Sequence, residues 1–460
     1  MEYALRMTGT QHMLLGSHLF PEGDDNEAVA LLLCGRRSGK ARHVFTVNKV
    51  ILIPHDKCGR SPDSVTWPTT YIDDVLEACY KNHLAIVKIH SHPTGYPRFS
   101  PTDDESDRDV YGAISSLLDD GLPHASLVML PGEGRMFGRV IIDGVPGNEL
   151  DLIQVVGDDL CFFHARSNSE ISAYAERHAQ AFGKGTANIL SRLTVAVVGC
   201  SGTGSIVVEL LARLGVKRLI LIDPDRVEEK NLNRILNSGK EDAYLSRPKV
   251  EVLAKAIARM GLGQEVEIIA ENLICERAIH AVAGCDVVFG CMDGVEGRHW
   301  LNRIATFYNL PYFDVGVRLD ADGNGGIDCI AGAVHYLQPG MSSLLSRGVY
   351  SMDRVTAEAL RRTNPAEYAR QLGEGYIRGV VEDRPAVISV NMFFASMIVN
   401  EFLARLHEYR NRRNSEYGTV QGNLSEVMLL PEPEIGECQA LKKHVGRGDC
   451  IPLLDRPSLS

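Results

Sequence analysis

The sequence predicts an α/β protein made of two successive units, and three stretches carry that expectation. LAIVKIH, residues 84–90, is a short apolar run rich enough in β-formers to be a buried strand. ASLVMLPGEGRMFGRVIIDG, residues 125–144, alternates apolar strands with turn residues and closes a first unit near residue 150. TVAVVGCSGTGS, residues 194–205, runs from an apolar strand through glycines into SIVVELLARLGV, which has helical spacing.

Composition sets the limits. An apolar content of 45% with 23% charged residues supports full cores over 460 residues. The net charge is −11, from 48 Lys plus Arg against 59 Asp plus Glu, without a dense basic run, so nucleic acid is not expected as a partner. No apolar stretch reaches the ~18 residues of a membrane span, and MEYALRMTGTQH has neither part of a signal peptide. The expectation is a cytoplasmic protein whose eleven scattered cysteines, with no C-x-x-C, are reduced thiols.

HSHPTGYPRFSPTD, His90 to Asp103, is the first chemical signal. Ser100 fits the N-cap of a helix, with Pro101 at the first helical position and Asp103 at the third. On the preceding strand His90 and His92 are two apart, so they face one side. Two imidazoles aimed together beside a carboxylate at a helix start make a three-ligand set with a fourth position open, the pattern of a catalytic zinc. His90-x-His92, seven residues, Ser100, two residues and Asp103 resembles the JAMM (JAB/MPN) metalloproteases. The resemblance implies an α/β metalloprotease domain with His90, His92 and Asp103 on zinc and Ser100 stabilising the oxyanion. It also implies an upstream glutamate as general base and acid, best matched by Glu27 in NEAVALLLCG rather than by Glu22.

In the second unit, Gly199, Gly202 and Gly204 lie in a strand–turn–helix that would let a phosphate approach the helix N-terminus. Asp223 ends the next strand, RLILID, twenty-four residues after Gly199, where an acid can bind ribose hydroxyls. A dehydrogenase would share this fingerprint. DPDRVEEKNLNR, RPKVEVLAKAIARMG and CDVVFGCMDG distinguish it, and over roughly residues 170–430 the chain resembles the ThiF/MoeB/HesA ubiquitin-activating-type adenylyltransferases. That implies a Rossmann-like adenylating domain with a mostly parallel sheet. It places ATP against Asp223, Asn231, Arg234 and Lys249, magnesium on Asp293, and an arginine from the other subunit of a homodimer, matched by Arg177.

The expected organisation is a JAMM domain over 1–155, a connector with N-terminal helices over 156–193, the adenylating domain over 194–430, and a tail over 431–460. Two departures from the family stand out. Ser343 and Ser346 occupy positions where many members carry the first C-x-x-C of a structural zinc, so no zinc is expected in the second domain. No cysteine lies between His335 and Ile435, which leaves Cys438, Cys450 or an outside thiol to accept the activated carboxylate.

The paired resemblances imply a bifunctional enzyme of a bacterial ubiquitin-like pathway, of a kind linked to phage defence. It would cleave after a ubiquitin-like C-terminus and adenylate the freed glycine, working with a conjugating enzyme. One alternative processes and activates a sulfur carrier, with a sulfur donor forming a thiocarboxylate for transfer to a metabolite. Another is a non-catalytic scaffold that binds ubiquitin-like tails.

Overall fold

The computed structural model describes residues 1–166, 173–321, 326–374, 377 and 387–459. The chain gathers into two compact units, one comprising 1–167, 307–309 and 444–460, the other 168–306 and 310–443.

The first unit is built on β1 (Glu2–Thr8), β2 (Val29–Ser38), β3 (Arg42–Leu52), a small hairpin of β4 (Gly59–Ser61) and β5 (Ser64–Thr66), β6 (Ala85–Ser91), β7 (His124–Met129), β8 (Met136–Ile142), β9 (Val145–Glu149), β10 (Leu152–Val156) and β11 (Leu160–His164). Apart from the hairpin they form one mixed sheet in the order β11-β10-β1-β3-β2-β6-β7-β8-β9. β2 shows why a continuous apolar run becomes a central strand. Its Ala30, Leu32 and Cys34 enter the core shared with Leu15 and Leu19 of the helix Gly9–Leu19. Its Val29, Leu31 and Leu33 face the opposite core, under the helices Thr70–Asn82 and Pro101–Leu118. Burying each such leucine contributes about 1.5–3 kcal/mol.

Two segments depart from the expected organisation. LCFFH, assigned to the connector over 156–193, is the edge strand β11, because its residues pair antiparallel with β10. The stretch 431–460, expected as a single tail, is divided between the two units at residue 443. Residues 444–460 pack into the first unit, where Gly446 O accepts from Gly35 N at 3.1 Å and from Thr46 Oγ1 at 3.0 Å. Gly446 has φ +66°, and a Cβ there would come within 2.1 Å of Val47 O, so glycine permits the approach.

The second unit carries β12 (Thr194–Val198), β13 (Arg218–Ile222), β14 (Glu265–Ile269), β15 (Val287–Gly290), β16 (Tyr312–Ala321), β17 (Ile327–Leu337), β18 (Thr419–Asn423) and β19 (Met428–Glu432). The sheet order is β14-β13-β12-β15-β16-β17-β18-β19, parallel from β14 to β16 and antiparallel beyond. The strand order reverses direction between β12 and β15, the place where a doubly wound sheet opens a crevice at its carboxyl edge. The apolar helix Ile388–Leu406 buries Phe394, Ile398 and Phe402 in this unit. Among the described residues no helix is long and apolar enough to cross a membrane.

Candidate metal centre and nucleotide cleft

The register of β2 against β6 builds the first site. Val29 pairs with His90, and one step further Ala28 N donates to Ser91 Oγ at 2.9 Å while Ser91 N donates to Ala28 O at 3.0 Å. Alternation then places Glu27 on the face of His90 and His92. Asp103 arrives from the helix Pro101–Leu118, whose start is a capping box: Asp103 N donates to Ser100 Oγ at 3.2 Å, and Ser100 N donates to Asp103 Oδ2 at 2.6 Å. The N-cap role of Ser100 thus coexists with its place beside the ligands.

His90 Nε2 lies 3.1 Å from His92 Nε2 and 2.9 Å from Asp103 Oδ1, and His92 Nε2 lies 3.4 Å from Asp103 Oδ2. The three ligand atoms fall within 4.8 Å of one another, and all three residues are buried. Ligands held at ~2.0–2.1 Å from a tetrahedral zinc would lie about 3.3 Å apart, so the donor set fits such an ion. His92 Nδ1 sits 2.8 Å from Tyr96 O. A carbonyl can only accept, so Nδ1 carries a proton, and in the neutral ring Nε2 is then the atom left to bind a metal.

Protonation follows burial and partners. Burial raises the Glu27 carboxyl to about 7, with His92 opposing and Asp103 adding to the shift. Burial, aided by Lys88, lowers His90. Burial would lower His92 as well, but the Asp103 hydrogen bond and Tyr96 O raise it. Burial works against ionised Asp103, yet the hydrogen bonds from His90 and His92 hold it well below the usual carboxylate range. The combination of neutral His90 and ionised Asp103 is the form in which a dication is bound.

Behind the ligands lies a buried ionic network. Lys88, on the His90 face of β6, places Nζ 2.5 Å from Asp107 Oδ1. Asp107 Oδ2 accepts from Arg139 Nε at 2.9 Å and Nη2 at 2.7 Å, and Asp107 Oδ1 accepts from Ser126 Oγ at 3.0 Å. The Arg139 guanidinium also lies 3.9 Å over the ring of Phe99, which precedes Ser100.

The second site is a cleft of about 1840 Å³ at the carboxyl edge of β12, β13 and β15. Gly199, Gly202, Asp223, Asn231, Arg234, Lys249 and Asp293 all line it. Gly199 has φ +89°, and a Cβ would strike Cys291 O at 2.7 Å, so the turns after β12 and β15 close on each other. Gly204 serves packing below the surface: a Cβ would meet Gly199 O at 1.8 Å, and the residue is not part of the lining. Asp223 accepts from Cys200 N at 2.6 Å and Asp225 N at 2.8 Å. Burial raises its pKa, with Lys249 opposing. Lys249, at the start of the helix Lys249–Met260, donates to Asp225 Oδ2 at 2.7 Å. Arg177 is exposed on the helix Glu176–Leu190 and does not line this cleft.

Sequence reasoning missed two cleft residues. Arg298 is partly buried, with Nε donating to Met292 O at 3.1 Å and Nη2 to Val315 O at 2.9 Å, which ties down the chain beside Asp293. Asn391 is buried facing the glycine turn, where a Cβ on Gly202 would meet Asn391 Nδ2 at 2.4 Å. A lone amide within the apolar run VNMFFASMIV was the available signal.

Ser343 meets Cys438, and Ser346 bonds to Ser343. Ser343 Oγ donates to Cys438 Sγ at 3.0 Å, and Ser346 N donates to Ser343 Oγ at 3.1 Å. Cys438 is only 3% exposed. Cys450 is half-buried in the first unit, and burial raises its thiol pKa.

Comparison with known proteins adds lineage. The family model described as ThiF family matches residues 174–438, and that of prokaryotic homologs of the JAB domain matches residues 18–138. The ubiquitin-like modifier-activating enzyme 5 of Culex quinquefasciatus is 32% identical over 161 residues, 32% of this chain and 37% of that one. The enzyme of the same name from Caenorhabditis briggsae is 30% identical over 161 residues, 33% of this chain and 35% of that one. The chain therefore spans little more than a third of the length of these curated relatives. A solved structure of E. coli MccB with ATP is 18% identical, covers 59% of this chain and 74% of that one, and has a TM-score of 0.44.

Proposed function

Because this chain belongs to the ThiF family and carries a JAB-domain homologue ahead of the ThiF region, we propose that it is a two-centre enzyme acting on a ubiquitin-like C-terminus. The first centre would be a zinc peptidase that frees the terminal carboxylate. The second would be an ATP-dependent adenylyltransferase that activates it. A place in a bacterial conjugation pathway, with a conjugating enzyme and a role in phage defence, extends the same reading. A cytoplasmic location, where ATP is at hand, belongs to the same reading.

At the first centre His90, His92 and Asp103 would hold zinc, which when bound supplies Lewis acidity and an acidified water. Glu27, with Oε1 3.8 Å from His92 Nε2, takes a proton and returns it to the leaving amine. The Ser100 oxygen accepts the Asp103 N–H, which leaves its own proton free for the carbonyl oxygen of the scissile bond.

In the cleft, a carboxylate oxygen attacks the α-phosphorus of ATP, the bond to the bridging oxygen breaks, and pyrophosphate leaves with its charge. Two anions meet in this step, so positive charge must be gathered around the phosphates. Arg234 and Lys249 line the cleft to supply it, and Asp293 is assigned magnesium. Asp223 is assigned the ribose and Asn231 the phosphates. Arg177 would serve the nucleotide of a second copy in a homodimer.

The observation that carries this reading is the convergence of Gly199, Asp223, Arg234, Lys249 and Asp293 on one cleft from separate elements. Exchange of radiolabelled pyrophosphate into ATP, stimulated by a ubiquitin-like protein ending in Gly-Gly, tests it. The exchange should vanish in Lys249→Ala. Exchange that persists in that variant counts against the assignment.

The burial of Cys438 favours handing the adenylate directly to an outside thiol or sulfur donor. Thiocarboxylate formation on a sulfur carrier is therefore the second reading.

A further inference from the structure

Glu27 must be held accurately, yet its carboxylate has little to hold it. Oε1 stands 3.8 Å from His92 Nε2, beyond hydrogen-bond reach. Its position is therefore set through its backbone. On the C-terminal side the ladder does this, since Ala28 is fastened to Ser91. On the N-terminal side lies a loop, and β2 begins only at Val29.

That loop is closed by the hairpin of β4 and β5. Glu27 N donates to Ser61 O at 2.8 Å. Arg60, beside Ser61 on β4, turns its guanidinium onto the loop with three separate donors. Nε donates to Glu27 O at 2.7 Å, Nη2 to Asn26 O at 3.0 Å, and Nη1 to Asp24 Oδ2 at 2.6 Å. The other Asp24 oxygen accepts from Asn26 N at 3.0 Å and Asn26 Nδ2 at 2.9 Å. Two consecutive carbonyls and one carboxylate thus converge on one planar cation, a pattern that fits the fork of arginine and not the point charge of lysine. The Arg60 side chain is 10% exposed, so these bonds are sheltered from water.

We propose that Arg60 is a positioning residue of the peptidase centre: by gripping the carbonyls of Asn26 and Glu27 it fixes where the Glu27 carboxylate can reach. This rests on the peptidase reading given above. Arg60 touches no metal ligand and no reacting atom. It acts on the rate through the geometry of Glu27, and groups that orient a reacting residue typically change activity by about 10–100-fold.

The test uses the full-length zinc-loaded protein and a peptide ending in Gly-Gly linked to aminomethylcoumarin. Arg60→Ala should lower kcat about 10–100-fold while KM stays within about twofold and bound zinc stays at one per chain. Arg60→Lys should remain closer to Arg60→Ala than to wild type. Asp24→Ala, which leaves both carbonyl bonds in place, should lose less. A crystal structure of zinc-loaded Arg60→Ala should show Glu27 displaced from His92. The proposal is overturned if kcat is unchanged, or if zinc content falls in step with activity, since that marks a merely structural role. If wild type binds zinc but never cleaves the probe, the peptidase reading fails for it. The Arg60→Ala structure then decides the positioning claim alone, and an unmoved Glu27 sinks it.

Discussion

Glu27 and His92 lie just past the end of the β2–β6 ladder, whose outermost pair is Val29 with His90, and Glu27 Oε1 is 3.8 Å from the His92 imidazole Nε2. The end of β6 and the residue that follows it thus supply the histidine ligands, and the segment entering β2 supplies the acid that would move the proton.

Substituting Glu27→Gln keeps the shape and removes the base. Peptidase turnover should fall about 10²–10⁴-fold with zinc retained. In wild type the rate should fall on the acid side, because the ionised form is the base. Burial raises this carboxyl to about 7, and a bound dication pulls it down, so the acid limb should lie at or below about 7. A pH–rate profile whose acid limb lies well above 7 contradicts this assignment.

Asp107 is fully buried between Lys88 and Arg139. Removing it with Asp107→Ala leaves buried Lys88 without a carboxylate and Arg139 with Asp104 alone, and should destabilise the first unit by about 3–5 kcal/mol. Urea unfolding followed by a probe in that unit measures the loss. A change below ~1 kcal/mol would show the network to be dispensable.

The parts of these sites that were legible in the sequence are those made locally. His90 and His92 share a face because a strand has period two, and Ser100 and Asp103 read as a cap whether or not they serve a metal. Gly199 and Asp223 likewise belong to one strand–helix–strand passage. Asn391 reaches the cleft from a helix far along the chain, and Arg298, although only five residues after Asp293, meets Val315 O only through packing. Arg60 was illegible for a further reason: two of its three partners are backbone carbonyls, which leave no mark in residue identity. The edge strand Leu160–His164 was read as part of a connector because its pairing depends on β10, not on its own pattern.

Two buried histidines should make stability depend on pH. Burial lowers His43 to about 4 and His335 to about 3, with nearby arginines adding to both shifts. The unfolded chain then binds protons that the folded chain refuses. Stability is full above about 6.5 and is lost as pH falls toward these values. From pH 7 to pH 5 each contributes a loss of about 2 kcal/mol. His335→Gln should flatten the decline in the second unit, and an unchanged slope in that variant would remove His335 from the account.

The cysteine accessibilities bear on how the adenylate is passed on. Cys438 is 3% exposed and accepts from Ser343 Oγ, and burial raises the Cys450 thiol. Neither is an activated nucleophile. Alkylation of native protein should spare Cys438, and the double variant Cys438→Ala with Cys450→Ala should still form adenylate and pass it on. A reducible mass adduct on the wild-type chain, absent from the double variant, would assign the thioester to the tail.

The central claim is that one chain frees a terminal carboxylate at one centre and activates it at the other. Intact-mass analysis tests it most directly, using a ubiquitin-like protein with a C-terminal extension, ATP and magnesium. Wild type should trim the extension and add AMP to the trimmed form. His90→Ala should leave the extended protein untouched yet adenylate a pre-trimmed one, while Asp293→Ala should trim without adding AMP. Trimming that survives in His90→Ala, or a pre-trimmed protein that never gains AMP, would contradict the account.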